Sequence, residues 1–260
     1  MLLLGVITQG KGLAESHRPQ PIPPIAEQHW QQLDWQGHPM RLEGKSVTDS
    51  SVILLLKSRK DHKPEGLALI MADSPQTLKL QALSGQLSLY GLDVLLLIPS
   101  PQQAGLNPFE KPESPELQLA LKQKIEFIRN LKSLLPKAGK KRVVITQGKM
   151  TGWISEILGS KQLTEPDALV LLNGYYPQAK ANTSMADSLA KLKKPLLDLQ
   201  TITSNPWLTR ARDARKQAFL TTPKNNFRQI SAFGHADVAK IIYGWLSSEG
   251  WFPNRVKKPG

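Results

Sequence analysis

Gly148 and Gly152 flank a position at which a catalytic nucleophile would be expected. Residues 142–146 (RVVIT) predict a central strand, and residues 148–152 (GKMTG) follow after Gln147. A G-x-S-x-G pattern at a strand-to-helix turn lets the two elements approach closely and presents its central residue at the carboxyl end of the strand. The central residue here is Met150. Its thioether cannot form an acyl intermediate that turns over.

Other side chains with acid–base or nucleophilic capacity are spread along the chain. His235 could be a general base, or it could cap and pack at the start of a helix. Asp198 and Asp73 are candidate partners with which His235 could activate water directly. The hydroxyl groups that could replace a missing nucleophile belong to Ser74, Thr146, Thr151 and Ser155.

Aromatic and polar residues after the predicted strands could line a pocket at the same edge of a sheet. Met150 could either line an apolar ligand site or fill a collapsed pocket, because methionine is a flexible gap-filler. The predicted pocket residues are Asp73, Ser74, Met150, Thr151, Tyr175, Tyr176 and Asn205.

The elements that would position these residues alternate along the chain. Non-alternating apolar runs predict buried parallel strands, and segments of helical spacing separate several of them. The pattern predicts an α/β fold with a mostly parallel sheet flanked by helices on both faces. Strands are predicted at 51–57, 66–71, 94–98, 142–146, 168–173, 196–199 and 227–233, and helices at 78–90, 115–135, 153–158 and 236–248.

The order of these motifs resembles the α/β-hydrolase superfamily over roughly residues 50–250. The elbow at 148–152 and the segment 227–235 (FRQISAFGH) before a closing helix are similar to its nucleophile and histidine regions. The segments 172–177 (LNGYYP), 195–199 (PLLDL) and 244–246 (GWL) are similar to exported proteobacterial proteins of this superfamily that carry a domain of unknown function.

The resemblance implies a catalytic triad of which one member is clearly present. Position 150 would be the nucleophile but is Met, and His235 would be the base. The acid would follow the strand at 195–199. Asp198 lies inside that strand, and Asn205 stands in the loop where an aspartate would be expected. The resemblance therefore implies a degenerate elbow.

Composition excludes several classes of site. The chain has 260 residues, of which 40% are hydrophobic, so it can bury the core of one large domain. It has no cysteine, which excludes a disulfide framework, a thiol nucleophile and a thiolate metal site. None of its histidines has the HxxxH spacing of a helical zinc site. We predict neither a metal nor a cofactor.

The formal net charge of +13 favours anionic partners. Basic clusters at 137–142 and 191–194 are predicted at the amino edge of the sheet, opposite the edge where ligands bind. They could be a solvated rim or a docking surface for an anionic membrane. Nucleic acid is an unlikely partner, because aromatic residues are only 6% of the chain and do not interleave with the basic runs.

The first residues predict a location and a domain organisation. Residues 1–14 are similar to the end of a secretory signal peptide, which predicts a periplasmic protein, with a cytoplasmic location as the alternative. Residues 15–45 are predicted to be an extended arm and first strand region. Residues 46–260 are predicted to form the α/β-hydrolase-like domain.

Two main functions remain open from the sequence. The first is an exported α/β-hydrolase-fold protein without serine-hydrolase activity, which binds a small molecule or an envelope protein at the former active-site edge. The alternative is a divergent ester or acyl hydrolase that uses His235 with a non-serine nucleophile or water. A third possibility is an interaction protein that uses the basic edge.

Overall fold

The computed structural model describes thirteen elements with defined bounds, the helical residues 115–119 and 121–122 within the predicted helix 115–135, and the adjoining loops. The described residues are 30–33, 52–58, 64–74, 77–101, 104, 106, 113–119, 121–122, 141–161, 164–201, 204–222 and 226–252. The strands are β1 (Trp30–Leu33), β2 (Val52–Leu56), β3 (Gly66–Met71), β4 (Leu92–Ile98), β5 (Lys141–Gln147), β6 (Ala168–Leu172), β7 (Leu196–Thr201) and β8 (Phe227–Ala232). The helices are α1 (Leu78–Leu89), α2 (Met150–Gly159), α3 (Ala179–Ala190), α4 (Pro206–Thr221) and α5 (His235–Ser248).

All eight strands form one sheet in the order β1-β2-β4-β3-β5-β6-β7-β8. Strands β3 to β8 run parallel, and β1 and β2 pair antiparallel at one end. The central strands β3, β4 and β6 are almost wholly buried, which explains why they read as continuous apolar runs. The predicted α/β fold with a mostly parallel sheet is confirmed.

Alternate residues of each strand feed two cores, one on each face of the sheet. One core receives Val144 and Leu171 together with side chains of α2, α3 and α4. The other receives Ile145 and Val170 together with side chains of α1 and α5. The predicted placement of helices on both faces is therefore confirmed, and the carboxyl ends of the parallel strands meet at one edge.

Three differences from the predicted elements affect that edge. Helix α2 begins at Met150, three residues before the predicted start, because only Gly148 and Lys149 separate it from β5. Helices α3 and α4 were not predicted, although Asn205 and Pro206 are a recognisable start for α4. The Asn205 side chain accepts a hydrogen bond from the backbone N–H of Trp207 at 3.0 Å, and Pro206 is the first helical residue.

Residues 1–29 lie outside the described residues, so the signal-like segment and the extended arm stay predictions. Strand β1 pairs with β2 and extends the same sheet that the rest of the chain forms. None of the described helices is long and apolar enough to cross a membrane.

A buried ion pair joins α4 to the sheet. The Arg215 guanidinium donates to both carboxylate oxygens of Asp198 at 2.9 Å, and the two side chains are 0% and 1% exposed. The same guanidinium donates to the carbonyl oxygen of Gly174, and the Gln229 amide donates to Asp198. Every oxygen of this carboxylate therefore has a partner, which offsets the cost of burying the charges.

We predict that Arg215→Ala lowers the free energy of unfolding by about 3–5 kcal/mol, because it leaves the Asp198 carboxylate buried without its cation. Urea unfolding followed by circular dichroism would measure the change. Lys216→Ala is the matched control, since Lys216 is the next residue of α4 and is exposed; it should change stability by less than about 0.5 kcal/mol. A loss below about 1 kcal/mol for Arg215→Ala would contradict the assigned role.

Candidate functional site

The turn between β5 and α2 is centred on Gly148. Gly148 has a left-handed backbone with φ of +51°, whereas Lys149 already has helical angles. The Gly148 N–H donates to the carbonyl oxygen of Leu172 at 3.0 Å, and its carbonyl oxygen accepts the N–H of Tyr175 at 3.3 Å. The chain therefore turns sharply at residue 148, and residue 148 lies at the carboxyl edge of the sheet.

Met150 lies in the first turn of α2 and does not project at this edge. Its side chain is 3% exposed and belongs to the core between the sheet and α2, α3 and α4. Of the two roles that the sequence left open for Met150, the structure places it as a core filler. Position 148, which the turn does present, carries no side chain.

The carboxylate of Asp73 occupies the space beside Gly148. A Cβ atom added at position 148 would lie 1.9 Å from Oδ2 and 2.8 Å from Cγ of Asp73, far inside van der Waals contact. Asp73 comes from the loop between β3 and α1. The backbone N–H groups of Lys149 and of Asp73 itself are close enough to the carboxylate to favour its charged form. Only glycine fits at position 148 while Asp73 holds this place.

Burial raises the pKa of the Asp73 carboxyl above its ordinary value. The Lys149 ammonium and the two backbone N–H groups act in the opposite direction, because each favours the charged form, but burial outweighs them. The Lys149 ammonium donates to the carbonyl oxygen of Ala104 at 3.3 Å. The site therefore combines a partly desolvated carboxylate with a nearby cation.

Asp198, the other predicted carboxylate, is bound by other side chains. Asp198 lies within β7, and Arg215 and Gln229 take up both of its oxygens. Arg215 was not recognised in the sequence as a partner, although a buried aspartate inside a strand needs a cation or several donors. Asp198 therefore has a structural role in holding α4 and the loop after β6.

Three of the four candidate hydroxyl nucleophiles form hydrogen bonds within the protein. Thr146 and Thr151 are both buried, and their hydroxyl oxygens form a hydrogen bond at 3.0 Å. The Ser155 hydroxyl donates to the carbonyl oxygen of Gly152 within α2. Ser74 is half-buried in the loop after β3. Thr151 further fills the space against the next loop, since a Cβ added at Gly174 would lie 2.5 Å from its hydroxyl oxygen.

The loop after β6 is held from several sides. Asn173 has a left-handed backbone with φ of +52°, and its side-chain amide exchanges two hydrogen bonds with Thr201 at the end of β7. The Asn182 amide likewise exchanges two hydrogen bonds with the backbone of Tyr176. Tyr176 is 4% exposed, whereas Tyr175 is half-buried against the core. Of this predicted aromatic pair, only Tyr175 has partial access to solvent.

His235 is the first residue of α5, directly after β8, where the resemblance implies a histidine loop. Its side chain lies outside the described part of the structure, so its role as a base stays a prediction. Asn205, predicted to line the pocket, caps α4. No group of His, Asp and Glu among the described residues could hold a metal ion.

Residues 141–142 of the first predicted basic cluster and residues 191–194 of the second are described, and both segments lie at the amino edge of the sheet. Arg142 at the start of β5 and Lys194 before β7 both approach the Asp167 carboxylate at 3.6 Å. Glu165 accepts the backbone N–H of Lys193. Acidic side chains are thus interspersed with the basic ones, and docking of this edge on an anionic membrane stays a prediction.

We predict that Gly148→Ala lowers the free energy of unfolding by about 2–4 kcal/mol, because it combines left-handed strain with a collision against Asp73. In the double variant Asp73→Ala, Gly148→Ala, the collision is gone and only about 1–2 kcal/mol of strain should remain. A double-mutant cycle by urea unfolding would therefore give a favourable coupling of about 1–2 kcal/mol.

Gly244→Ala in α5 is the control for this cycle. A Cβ at Gly244 would meet nothing within 4 Å, so alanine there should stabilise the helix by about 0.5–1 kcal/mol. Additive effects of the substitutions at 73 and 148 would show that the two positions do not compete for space.

Several solved structures have folds similar to this one. Solved structures with similar folds include the esterase domain of a Rhodothermus marinus protein, at 14% identity and a TM-score of 0.52, covering 85% of this chain and 98% of that one. A lipase/esterase from Lactobacillus plantarum matches at 13% identity and a TM-score of 0.57, covering 86% of this chain and 98% of that one. Dienelactone hydrolase from Anabaena variabilis matches at 12% identity and a TM-score of 0.53, covering 85% and 97%.

These structural similarities establish the fold alone, because the sequence identities are low. No curated protein matches the sequence. The family model described as "Protein of unknown function (DUF3530)" matches residues 100–241, which is more than half of the chain and includes the turn at Gly148. The protein therefore has the α/β-hydrolase fold and belongs to the DUF3530 family of proteins of unknown function.

Proposed function

We propose that this protein is an exported α/β-hydrolase-fold protein that lacks serine-hydrolase activity and acts by binding a ligand or an envelope partner at the carboxyl edge of its sheet. The fold is shared with esterases and dienelactone hydrolase. The export part of the proposal rests on the sequence pattern of residues 1–14 alone.

The observation that carries this proposal is the Asp73 carboxylate beside Gly148. In serine hydrolases of this fold, the oxyanion is bound by the N–H of the residue after the nucleophile and by an N–H of the loop after β3. With Gly148 at the turn, the first of these N–H groups belongs to Lys149, and the Asp73 carboxylate lies beside Gly148 and Lys149. Position 148 therefore offers no nucleophile, and a carboxylate lies where an acyl group would have to approach it.

The surroundings of the turn support the same conclusion. Acyl transfer needs a nucleophile, a base and a group that orients the base. Asp198 is bound to Arg215, and the hydroxyls of Thr146 and Thr151 bind each other. The described residues next to the turn thus supply no serine nucleophile and no second free carboxylate in β7.

Exposed apolar side chains at the same edge support a binding role. Phe233, directly after β8, is 88% exposed, and Leu78, at the start of α1, is 72% exposed. These two exposed side chains offer apolar surface to a binding partner at this edge.

The activity part is tested with p-nitrophenyl esters of short and long acids and with a fluorophosphonate probe for serine nucleophiles. We expect hydrolysis at the background rate and no labelling, because position 148 has no side chain. His235→Ala should leave the rate unchanged. Turnover that disappears in His235→Ala, or stoichiometric labelling of a serine, would refute the proposal.

The same assay tests a second candidate, hydrolysis by water that Asp73 activates. The position of the carboxylate beside Gly148 and its raised pKa favour this candidate, because a general base works best with a pKa near the operating pH. It requires turnover that is lost in Asp73→Asn, which keeps the shape of the side chain but cannot accept a proton. Equal background rates for both proteins would exclude it for these substrates.

The binding part is tested by photo-crosslinking in cells that produce the protein. A benzophenone amino acid at position 233 should crosslink a partner of defined mass, because Phe233 is exposed at the proposed edge. The same amino acid at Lys193, which is exposed at the opposite edge, is the control. Identical products at both positions, or none at either, would contradict partner binding at the carboxyl edge.

A further inference from the structure

Strand β8 forms one lateral edge of the sheet. Among the described strands it pairs with β7 alone. An edge strand presents a row of unpaired backbone N–H and C=O groups, and another extended chain can add to them through main-chain hydrogen bonds. The outer side of β8 is therefore a surface for strand pairing, distinct from the carboxyl edge of the sheet.

The hydrogen bonding between β7 and β8 shows which residues of β8 face outward. The Leu196 N–H donates at 2.9 Å to the carbonyl oxygen of Asn226, the residue before β8. Successive residues of a strand direct their backbone groups to opposite sides, so the even-numbered residues of β8 face β7. The outward backbone groups therefore belong to Phe227, Gln229 and Ser231.

The exposed charged side chains beside this edge are mostly basic. Arg212 of α4 donates to the Ser231 hydroxyl at 2.9 Å, which places this side of α4 next to β8. Lys216 follows Arg212 by one helical turn on the same side of α4 and is exposed. Arg228 is exposed on the opposite face of β8. Asp213 is the one acidic residue of α4 and β8, so this edge carries an excess of positive charge.

This charge distinguishes between two possible occupants of the edge. If two β8 strands paired with each other, the cations of one copy would approach those of the other, and basic side chains at a sheet edge oppose such self-pairing. The same cations attract an acidic chain. Charge complementarity therefore favours an extended acidic segment of another protein over a second copy of this chain.

Apolar surface adjoins the cations. Phe219 of α4 stacks on Phe227 at the start of β8, with ring centroids 3.8 Å apart, and Leu220 next to it is 66% exposed. Ile230 is half-buried on the face of β8 that packs toward α5. An added strand would thus contact apolar side chains as well as cations, which fits a segment in which acidic and apolar residues alternate.

We propose that the outer side of β8 binds an extended acidic segment of a partner protein, which adds to the sheet as a further strand. The outward backbone groups of β8 hold the segment by main-chain hydrogen bonds, and the neighbouring cations Lys216 and Arg228 select acidic side chains. This inference is independent of binding at the carboxyl edge, because it uses a different surface.

A capped, fluorescent peptide of the length of β8, in which glutamate alternates with valine, is the probe. Fluorescence anisotropy measures its affinity for the full-length protein. We expect it to bind at least about tenfold more tightly than the same peptide with lysine in place of glutamate, and its affinity should fall as the salt concentration rises. Equal affinities for the two peptides would overturn the inference.

Charge reversals test whether the peptide binds beside β8. Lys216→Glu combined with Arg228→Glu should weaken the glutamate peptide about fivefold to tenfold, because both cations become repulsive. Lys191→Glu combined with Lys193→Glu makes the same change in net charge at the amino edge, where both lysines are exposed, and should weaken it less than about twofold. Equal weakening by the two pairs would show general charge attraction and would count against the β8 site.

Proline at position 231 tests the strand pairing itself. Ser231→Pro removes an outward N–H and no N–H that faces β7, and an edge strand tolerates proline at such a position. It should weaken the glutamate peptide at least about fivefold, because a main-chain hydrogen bond is lost. Ser231→Ala also loses the contact with Arg212 but keeps the N–H, so its affinity should match the wild-type value. Unchanged affinity in Ser231→Pro would exclude strand addition.

Amide hydrogen exchange of the wild-type protein decides the question even if Ser231→Pro does not fold. In the free protein, the amides of Gln229 and Ser231 should exchange faster than those of Arg228 and Ile230, and the glutamate peptide should slow them at least about tenfold. Outward amides that are already protected in the free monomer would show that the chain itself covers β8. Protection that accompanies dimerisation in sedimentation velocity would show that a second copy is the occupant. Either result overturns the inference and leaves the proposed function untouched.

Discussion

The structure around the carboxyl edge depends on one steric exclusion, between the Asp73 carboxylate and any side chain at position 148. Gly148 is left-handed, so the chain can pass from β5 into α2 within two residues. That sharp passage brings the Lys149 N–H to the Asp73 carboxylate. The same turn sends Met150 into the core and leaves the edge without a side chain of its own. One local geometry therefore accounts for the glycine at 148, the position of the Asp73 carboxylate and the burial of Met150.

A second set of contacts keeps the edge in place. The loop after β6 passes over the turn, and Tyr175 and Gly174 of this loop contact Gly148 and Thr151. Arg215 holds the Gly174 carbonyl oxygen while its other nitrogens bind Asp198 in β7. A buried ion pair is weak evidence for stability in itself, but breaking one is costly. In this protein the pair also holds the loop after β6 through the Gly174 carbonyl oxygen, alongside the hydrogen bonds of Asn173 and Asn182.

Periodicity and turn residues were enough to predict the parallel strands, because buried strands leave continuous apolar runs in the sequence. They also predicted α1, α2 and α5, whereas α3 and α4 were missed. Spacing alone misplaced the centre of the elbow by two residues. Both Gly148 and Gly152 fit the pattern, and the sequence does not record that Gly148 alone has a positive φ. Asp198 was considered as a catalytic acid because of the resemblance. Its partner, Arg215, was not recognised, because it lies 17 positions away on a helix that was not predicted. Contacts of this kind depend on tertiary packing, which local patterns do not encode.

The exclusion between positions 73 and 148 also restricts which residues can stand together at the turn. A serine at 148 would collide with the carboxylate for as long as aspartate remains at 73. Removal of the aspartate alone would leave a glycine turn that still has no side chain at position 148. A nucleophilic side chain at this turn therefore requires both positions to change together.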